Sequence, residues 1–473
     1  MLGFFRWPRL AFVLASCLLA GVVNTAAAAP ADKPRVFVLT DIANEPDDEE
    51  SFVRFLLYAD DFDIEGIAAT TSVWQKDQVH PERLRATIAA YGEVLPNLRV
   101  HDPAYPDAAV LLSRVTAGPA LYGLNAVGQG HDSAASEALI RAVDSADKRP
   151  LWVTVWGGAN VLAQALWKVE HSRSPEAVAD FVACLRVYSI SDQDDSGAWL
   201  RNRYPKLFWI ASVHAFSHYS TATWIGISGE DFYHFSGPDP LTVSHDWLSS
   251  HIRKGPLGSL YPDYMFIMEG DTPSFLYLIP NGLGDPEHPD YGSWGGRYGR
   301  VNDGMGHYSD VVDNVTGSDG RPYRSNQATI WRWREAYQND FAARMAWTMT
   351  GDYGAANHAP LVTVNGDATE SPLEVTARPG DTLTLDASGT TDPDGNTLHF
   401  SWWHYKEPEV GQDAMQVVPE LAIDDASAAR VQVHVPADAP SYAPRRLHLI
   451  LQVSDNGTPA LTRYRRVIVT VKR

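Results

Sequence analysis

The feature that most constrains this chain is a change of pattern near Asn357. Before that residue, short β-branched runs alternate with segments whose apolar residues recur at helical spacing. The predicted strands are 35–40, 64–71, 151–156, 186–190 and 207–212, and the predicted helices include 52–59, 81–95 and 159–167. Strands that alternate with helices favour a parallel sheet with helices on both faces. We therefore predict an α/β domain over residues 32–356.

From His358 to Arg473 the pattern becomes one of short alternating strands separated by turn-forming residues. The predicted strands are 373–376, 382–385, 399–403, 430–435, 447–453 and 466–471. This pattern is typical of an immunoglobulin-like β-sandwich, which we predict over residues 358–473. Along one strand end, Trp402 faces opposite to Trp403 and Tyr405, so we expect one face in the core and the other as a candidate carbohydrate platform.

The first residues are typical of a secretory signal peptide. Two arginines precede an apolar stretch at 10–23, and small residues follow at 25–29. We predict a signal peptide over residues 1–28, and so a periplasmic or secreted protein. The apolar stretch is too short to favour a membrane span. A lipoprotein is the alternative, because Cys17 ends a lipid-attachment motif, although apolar residues continue after it.

The composition excludes one class of partner. The chain has 38 Lys and Arg residues against 58 Asp and Glu residues, a formal net charge of −20. A surface of this sign repels phosphate, so we do not expect a nucleic acid partner. The 15 Trp and 20 Tyr residues provide aromatic faces, which proteins use to fill cores and to stack on sugars.

Six acidic residues fall within the ten positions 41–50, directly after the first predicted strand. Capping of the following helix accounts for one or two of them. It does not account for Asp41 at the strand tip, where converging carboxylates repel one another unless a cation lies among them. Oxygen-rich clusters suit Ca²⁺ or Mg²⁺ and not Zn²⁺. The segment therefore predicts a hard-cation site, with helix capping as the alternative.

The same segment resembles the metal-binding signature of the nucleoside hydrolase superfamily. An apolar strand is followed by Thr40-Asp41, a short loop, and Asp47-Asp48 at the start of a helix; the loop is two residues longer than the usual pattern. Three later segments resemble, in order, that superfamily's second strand, a strand-to-helix turn whose carbonyl reaches the metal, and the segment with its last aspartate ligand: 62–71, 154–163 and 269–279. With 280–283, 291–298 and the appended sandwich, the chain further resembles a bacterial subgroup of cellulose-binding proteins that have a nucleoside-hydrolase-like domain.

The resemblance implies a nucleoside-hydrolase-like, Rossmann-like parallel-sheet domain and a Ca²⁺ ion. The implied ligands are Asp41, Asp48, Asp271 and the backbone carbonyl of Trp156 or of the residue before it. Asp41 would also take a proton from the water that attacks the anomeric carbon, and Asp47 would bind a sugar hydroxyl. The implied activity is hydrolysis of an N-glycosyl or other small glycosidic bond, in a nucleoside or another small glycoside.

Two departures from the superfamily pattern leave the substrate open. The segment that grips the sugar is here Asp192-Gln193-Asp194, in a different order from the superfamily's residues. A His often precedes the last aspartate and assists the leaving base, and here that position is Gly270. The leaving group therefore need not be a purine or pyrimidine. The predicted substrate-binding residues are Asp47, Trp74, Gln75, Asp192, Gln193, Asp194 and Trp294.

Trp294 lies in a long glycine-rich loop, 281–308, which we predict to wall the active-site mouth because long ordered loops are often functional. Several histidines in predicted loops are candidate general acids, which the sequence does not separate: His80, His214, His218, His245 and His307. The alternative to a hydrolase is a protein that keeps the hydrolase fold and binds cellulose or another plant cell-wall polysaccharide without turnover.

Overall fold

This computed structural model describes residues 1, 3, 33–230, 240–301, 304–409, 418–437 and 445–472. Residues 31–473 form one compact unit. The predicted signal peptide lies outside the described residues except for positions 1 and 3. Among the helices of the described residues, none combines the length and the apolar character needed to cross a bilayer.

The first part of the chain folds around one mostly parallel sheet, as predicted. Its strands are β1 Arg35–Thr40, β2 Asp63–Ala69, β3 Val115–Ala117, β4 Leu151–Val155, β5 Leu185–Ser189, β6 Phe208–Ala211, β7 Tyr298–Arg300 and β8 His307–Asp310. Their order is β3-β2-β1-β4-β5-β6-β8-β7, and β7 runs antiparallel to β8. A separate hairpin consists of β9 Asp313–Thr316 and β10 Pro322–Ser325.

Helices cover both faces of this sheet. They are α1 Pro46–Leu57, α2 Pro81–His101, α3 Ala108–Arg114, α4 Ala134–Val143, α5 Asn160–Ser172, α6 Pro175–Ala183, α7 Ser196–Arg203, α8 His245–His251, α9 Gly255–Gly258, α10 Pro273–Leu276, α11 Ala328–Trp331 and α12 Arg334–Trp347. Successive residues of β1 point to opposite faces, so Val36 and Val38 pack into one apolar cluster and Phe37 and Leu39 into another.

The centre of the sheet positions the strand tips. All six residues of β1 are buried, and β1 pairs in parallel with β2 on one side and β4 on the other. At the tip, Trp156 N donates to Leu39 O at 2.7 Å and Thr70 N donates to Thr40 O at 2.7 Å. The polar residues that follow these three strands therefore start from one edge of the sheet.

The C-terminal part forms two packed sheets, as predicted. Their strands are β11 Leu373–Ala377, β12 Thr382–Asp386, β13 His399–His404, β14 Ala422–Asp424, β15 Arg430–His434, β16 Arg446–Ser454 and β17 Thr462–Val471. One sheet has the order β11-β17-β16-β13, with β11 parallel to β17, and the other has the antiparallel order β12-β15-β14. Trp402 lies in the core between them.

The predicted carbohydrate platform on this sandwich is wrong. Tyr405 is fully buried, and its hydroxyl donates to Asp313 Oδ2 at 2.7 Å. The ring of Trp403 packs 5.9 Å from the ring of Trp333, which precedes α12. This aromatic face is covered because it packs against the α/β part of the chain.

The long loop after α10 also joins the two parts, and none of its described residues lines the cavity at the strand ends, where a wall was predicted. Trp294 is fully buried, and its Nε1 donates to Tyr464 Oη on β17 at 3.3 Å. The Arg466 guanidinium, also on β17, donates to the carbonyl oxygens of Leu283, Tyr291 and Gly292 at 2.7 to 3.1 Å. Trp294 is therefore a packing residue and not a substrate-binding one.

Candidate functional site

A cavity of about 480 Å³ opens where the parallel strands end, the edge at which such sheets bind ligands. Carboxylates line one part of it: Asp41, Glu45, Asp47, Asp48 and Asp271. Aromatic and aliphatic side chains line another part: Trp74, Ile190, Tyr219, Trp224, Phe266 and Ile267. The cavity thus combines a strongly acidic base with apolar walls.

Three elements bring the carboxylates together. Asp41 follows β1, Asp47 and Asp48 lie in the first turn of α1, and Asp271 precedes α10. One oxygen from each of Asp47, Asp48 and Asp271 lies within 4.8 Å of the other two. Asp41, Asp48 and Asp271 are buried, each with at most 3% of its surface exposed.

The local sequence explains this convergence. Pro46 at the start of α1 has the backbone angle that a helix needs, and acids in a first turn are favoured by the unpaired amides there. The Thr40 hydroxyl donates to Asp48 Oδ1, which ties the strand tip to the helix. Gly157 leaves room for Asp41, because a Cβ atom at that position would lie 2.6 Å from Asp41 Oδ1.

The carboxylates raise one another's pKa. Burial is the largest cause for each, and it raises the pKa of Asp41 to about 6. Burial, and then the nearby carboxylates, raise the pKa values of Asp47, Asp48 and Asp271 well above the ordinary range. Like charges held this close without a counter-charge cost free energy, so the cluster favours either protons or a cation.

The residues present fit a hard cation. Asp41 Oδ2 and Asp271 Oδ2 are buried and have no hydrogen-bond partner among the described residues. Burial of an unpaired carboxylate oxygen is unfavourable, and a cation would supply the missing partner. An all-oxygen donor set matches Ca²⁺ or Mg²⁺. Within the described ranges, Asp47, Asp48 and Asp271 form the one group of three or more residues placed as metal ligands.

The predicted ligand set and this cluster differ in three respects. Asp47, predicted to bind a sugar hydroxyl, lies with Asp48 and Asp271. The carbonyl of Trp156, predicted to reach the metal, accepts a hydrogen bond from the side-chain amide of Gln193. Asp41 lines the same cavity and raises the pKa of Asp48, so it borders the group of three.

The predicted sugar-gripping segment contributes only one residue to the cavity. Gln193 lines it. Asp192 does not, because its carboxylate pairs with Arg201 at 2.5 Å. Asp194 does not either, because it is buried and accepts from Ser196 N at 2.9 Å at the start of α7. Of the three predicted residues, the structure therefore places Gln193 at the cavity and Asp192 and Asp194 outside its lining.

The two residues predicted after the second strand differ in role. Trp74 lines the cavity with half of its surface exposed, as a stacking residue requires. Gln75 is buried, and its side-chain amide donates to Asp41 O at 3.2 Å. Gln75 therefore holds the loop that carries Asp41, and it is not among the residues that line the cavity.

Among the described residues, no histidine was found at the cavity to serve as the general acid. A Cβ atom at Gly270 would lie 2.7 Å from Asp47 Oδ2 and 3.6 Å from the Trp224 ring, so a histidine at this position would require the Asp47 carboxylate to move. None of the five candidate histidines lines the described cavity. His214, which follows β6, pairs instead with Asp310 at 2.5 Å.

The apolar walls were missed by sequence reasoning. Tyr219 and Trp224 lie in short 3₁₀ helices after β6, and Phe266 and Ile267 lie in the segment before α10. Neither sequence segment has a helical or alternating pattern of apolar residues, and such a pattern is the main signal of an element in a sequence. The density of aromatic residues there is the only sequence feature that could have indicated a binding wall.

The comparisons with known proteins agree with this architecture. Residues 35–298 match the family model described as cellulose-binding Sde182, nucleoside hydrolase-like domain. Residues 382–471 match the model described as cellulose-binding protein Sde0182, C-terminal domain. The comparison with curated proteins gives no match.

Solved structures give a similar result. One is described as a nucleoside hydrolase-related hypothetical protein from Saccharophagus degradans that is associated with carbohydrate metabolism; it is 36% identical, with a TM-score of 0.78, over 93% of this chain and all of its own. The PKD domain from the KIAA 1837 protein is 19% identical over 21% of this chain and 81% of its own, and its TM-score of 0.15 carries no argument. The chain belongs to the family of cellulose-binding Sde182-type proteins with a nucleoside hydrolase-like domain.

Proposed function

We propose that this chain is a Ca²⁺-dependent hydrolase of N-glycosyl or other small glycosidic bonds. The observation that carries the proposal is the buried Asp41 carboxylate, which opens on the cavity beside the group formed by Asp47, Asp48 and Asp271. A carboxylate beside a cation site, at the floor of a sugar-sized cavity, is the arrangement that activation of water requires.

In this proposal the carboxylates of the cavity have two roles, cation binding and proton transfer. Asp47, Asp48 and Asp271 hold the cation, which when bound lowers the pKa of water and stabilises negative charge. Asp41 accepts the proton of the attacking water; because burial raises its pKa to about 6, it is ionised near neutral pH and still basic enough to act. Neighbouring carboxylates also favour an oxocarbenium-like transition state.

The walls of the cavity support a small glycoside as the substrate. A volume of about 480 Å³ lies in the range of small-molecule sites. Trp74 and Trp224 offer ring faces to a sugar or an aromatic leaving group, and Ser191 and Gln193 offer hydrogen bonds to hydroxyls. Since Gly270 replaces the histidine that assists a leaving base, we propose that the leaving group need not be a nucleobase.

The test is a release assay on a panel of nucleosides and aryl glycosides, with Ca²⁺ or with a chelator. We expect turnover that the chelator abolishes and that Asp41→Asn reduces at least about 100-fold, the lower range for loss of a general base. Asp192→Asn is the matched control, because Asp192 lies in a neighbouring loop outside the cavity. No turnover on any substrate by the wild-type protein would contradict the proposal.

The second candidate function is binding of cellulose or a related polysaccharide without turnover. The family description, which includes cellulose binding, and the half-exposed Trp74 at the cavity support it. The test is a pull-down on insoluble cellulose with wild type, Asp41→Asn and Trp74→Ala. Binding that survives Asp41→Asn, together with no turnover on the panel, would favour this candidate over the hydrolase.

We also propose that the chain is exported, from the signal-peptide pattern of residues 1–28. Expression in a bacterial host, followed by N-terminal sequencing of the periplasmic fraction, tests this. We expect a mature chain that starts near residue 29. A cytoplasmic protein that retains its first residues would contradict the proposal, and a lipidated Cys17 would identify a lipoprotein.

A further inference from the structure

Three charged side chains lie directly behind the acidic cavity, fully removed from solvent. Glu50 and Arg54 are on α1, and Glu269 lies two residues before Asp271; none of the three has any exposed surface. We call these three residues the bracket. They do not line the cavity, so they cannot contact a substrate there.

Glu269 is fixed at three points. Arg54 Nη1 lies 2.9 Å from Glu269 Oε2, and the Tyr261 hydroxyl donates to Glu269 Oε1 at 2.7 Å. The backbone N–H of Glu269 donates to Glu50 Oε2 at 2.9 Å. Arg54 itself is held by Gln338 Oε1 and by the face of Phe341, 3.9 Å from its guanidinium carbon.

The backbone of Glu269 shows why it needs this support. Its φ is +54°, in the left-handed region that non-glycine residues rarely adopt. Such a conformation persists only where the surroundings determine it. The turn continues with Thr272 N donating to Glu269 O at 3.2 Å, and Thr272 Oγ1 donates to Ser51 Oγ on α1 at 3.1 Å.

The bracket therefore joins the two elements that supply the carboxylates. Helix α1 carries Asp47 and Asp48 in its first turn, and its next residues hold the turn that carries Asp271. We propose that Arg54 and Glu50 are positioning residues, which set the spacing of Asp48 and Asp271 and thereby the affinity and size selectivity of the cation site. This inference rests on the proposed function, because it assigns the bracket to that site.

Stability alone does not account for the bracket. Arg54 and Glu269 form an ion pair, yet Glu50 Oε1, Glu269 Oε2 and two Arg54 nitrogens have no hydrogen-bond partner among the described residues. Buried ion pairs often stabilise a fold no better than apolar side chains of the same size. Residues behind metal ligands, in contrast, commonly change metal affinity by about 10–100-fold when they are replaced.

The experiment measures Ca²⁺ and Mg²⁺ affinity by calorimetry on the metal-free, full-length mature protein. We expect Arg54→Met and Glu50→Met each to weaken Ca²⁺ binding by at least about tenfold and to reduce the preference for Ca²⁺ over Mg²⁺. Glu50→Gln keeps an acceptor for Glu269 N, so it should bind within about twofold of wild type. Tyr261→Phe removes one donor to Glu269 and tests the bracket if the Met variants do not fold.

The matched control is Arg344→Met. Arg344 is also buried, but it pairs with Asp60, Asp61 and Asp340, none of which lines the cavity or belongs to the bracket. This variant should lower the unfolding midpoint and leave the cation affinity of the folded protein unchanged. If the folded bracket variants, Tyr261→Phe included, all bind Ca²⁺ like wild type, the inference is overturned while the proposed function stands.

A second readout separates the inference from the proposed function if wild type binds no cation. In the metal-free protein, Asp48→Asn and Asp271→Asn should each raise the unfolding midpoint, and together by less than the sum, because both relieve the same repulsion. In an Arg54→Met background the two shifts should become additive. Non-additivity that the background leaves unchanged would overturn the inference on its own.

Discussion

Two regions of this molecule bury carboxylates, and they shift the pKa of those carboxylates in opposite directions. In the cavity, Asp41, Asp48 and Asp271 face one another, and burial raises the pKa of each. Where the sandwich joins the α/β part, Asp313 is also fully buried. Burial alone would raise its pKa, but the guanidinium groups of Arg297 and, next, Arg332 lower it.

The difference lies in the partners and not in the burial. Arg297 lies 2.7 Å and Arg332 2.6 Å from the Asp313 carboxylate, and Tyr405 of the sandwich donates to it. We call these four residues the seam cluster. A carboxylate with complete protein partners fixes two parts of a fold, whereas carboxylates left with one another indicate a site for a ligand.

The largest expected effect comes from breaking the seam cluster. Asp313→Ala leaves two buried guanidinium groups and the Tyr405 hydroxyl without their acceptor, so we expect a loss of about 3–5 kcal/mol in the free energy of unfolding. Chemical denaturation measures it. The control is Asp144→Ala, which removes a more exposed ion pair with Arg173 and should cost at most about 1 kcal/mol. Equal losses of stability in Asp313→Ala and Asp144→Ala would show that the seam cluster does not hold the two parts of the chain together.

Bound Ca²⁺ should stabilise the folded protein through the carboxylates of the cavity and not through the seam cluster. With Ca²⁺ at about a hundredfold excess over its Kd, we expect the folded protein to gain about 3 kcal/mol. Thermal unfolding with Ca²⁺ and with a chelator measures this gain. Asp48→Asn and Asp271→Asn should lose it, and Asp144→Asn should keep it. A gain that persists in both cavity variants would place the cation elsewhere.

The acidic cluster can be predicted from the sequence because most of it lies in one short segment. Asp41 and Asp47-Asp48 follow a buried strand and begin a helix, a pattern that a single segment of chain displays. Convergence with Asp271 also follows, because parallel strands end at one edge of a sheet. The bracket could not be anticipated, since it depends on the left-handed backbone of Glu269 and on a contact between residues more than 200 positions apart.

The surface where the sandwich packs on the α/β part was mispredicted for the same reason, because it also depends on contacts between distant parts of the chain. Trp294, Trp403 and Tyr405 have the composition of a sugar-binding surface, and nothing nearby in the sequence indicates what covers them. Helix α2 gives a smaller example: the sequence predicts its end at Leu95, before Pro96, but it continues to His101. Tertiary contacts hold the helix beyond the proline: Asn97 Nδ2 donates to Thr348 O at 2.8 Å, and His101 Nδ1 lies 3.0 Å from His358 Nε2.

One residue in each region should also change stability with pH, with opposite signs, and His448, where the sandwich joins the α/β part, should have a larger effect than Asp41. His448 on β16 is buried beside Arg466, and burial, then that guanidinium, lowers its pKa to about 2. Its folded pKa lies below its unfolded value, so its contribution to stability is complete above about pH 6.5 and is lost as the pH falls. Between pH 7.5 and pH 5 we expect a loss of about 2 kcal/mol, which His448→Gln should remove. Chemical denaturation at the two pH values measures it, and an unchanged slope in His448→Gln would contradict the assignment.

The smallest expected effect is the opposite slope from Asp41 in the metal-free protein. Its folded pKa, about 6, lies above its ordinary value of 3.8, so its stabilisation is complete below about pH 4 and is lost as the pH rises through 6. From pH 7.5 to pH 5 the metal-free protein should therefore gain about 1 kcal/mol from this residue. Asp41→Asn should remove that gain and leave the loss from His448 in place. Saturating Ca²⁺ should also remove it, because a cation favours the ionised carboxylate that protonation would neutralise. If Asp41→Asn and wild type unfold with the same pH dependence in chelator, Asp41 is not a residue whose pKa the cavity raises.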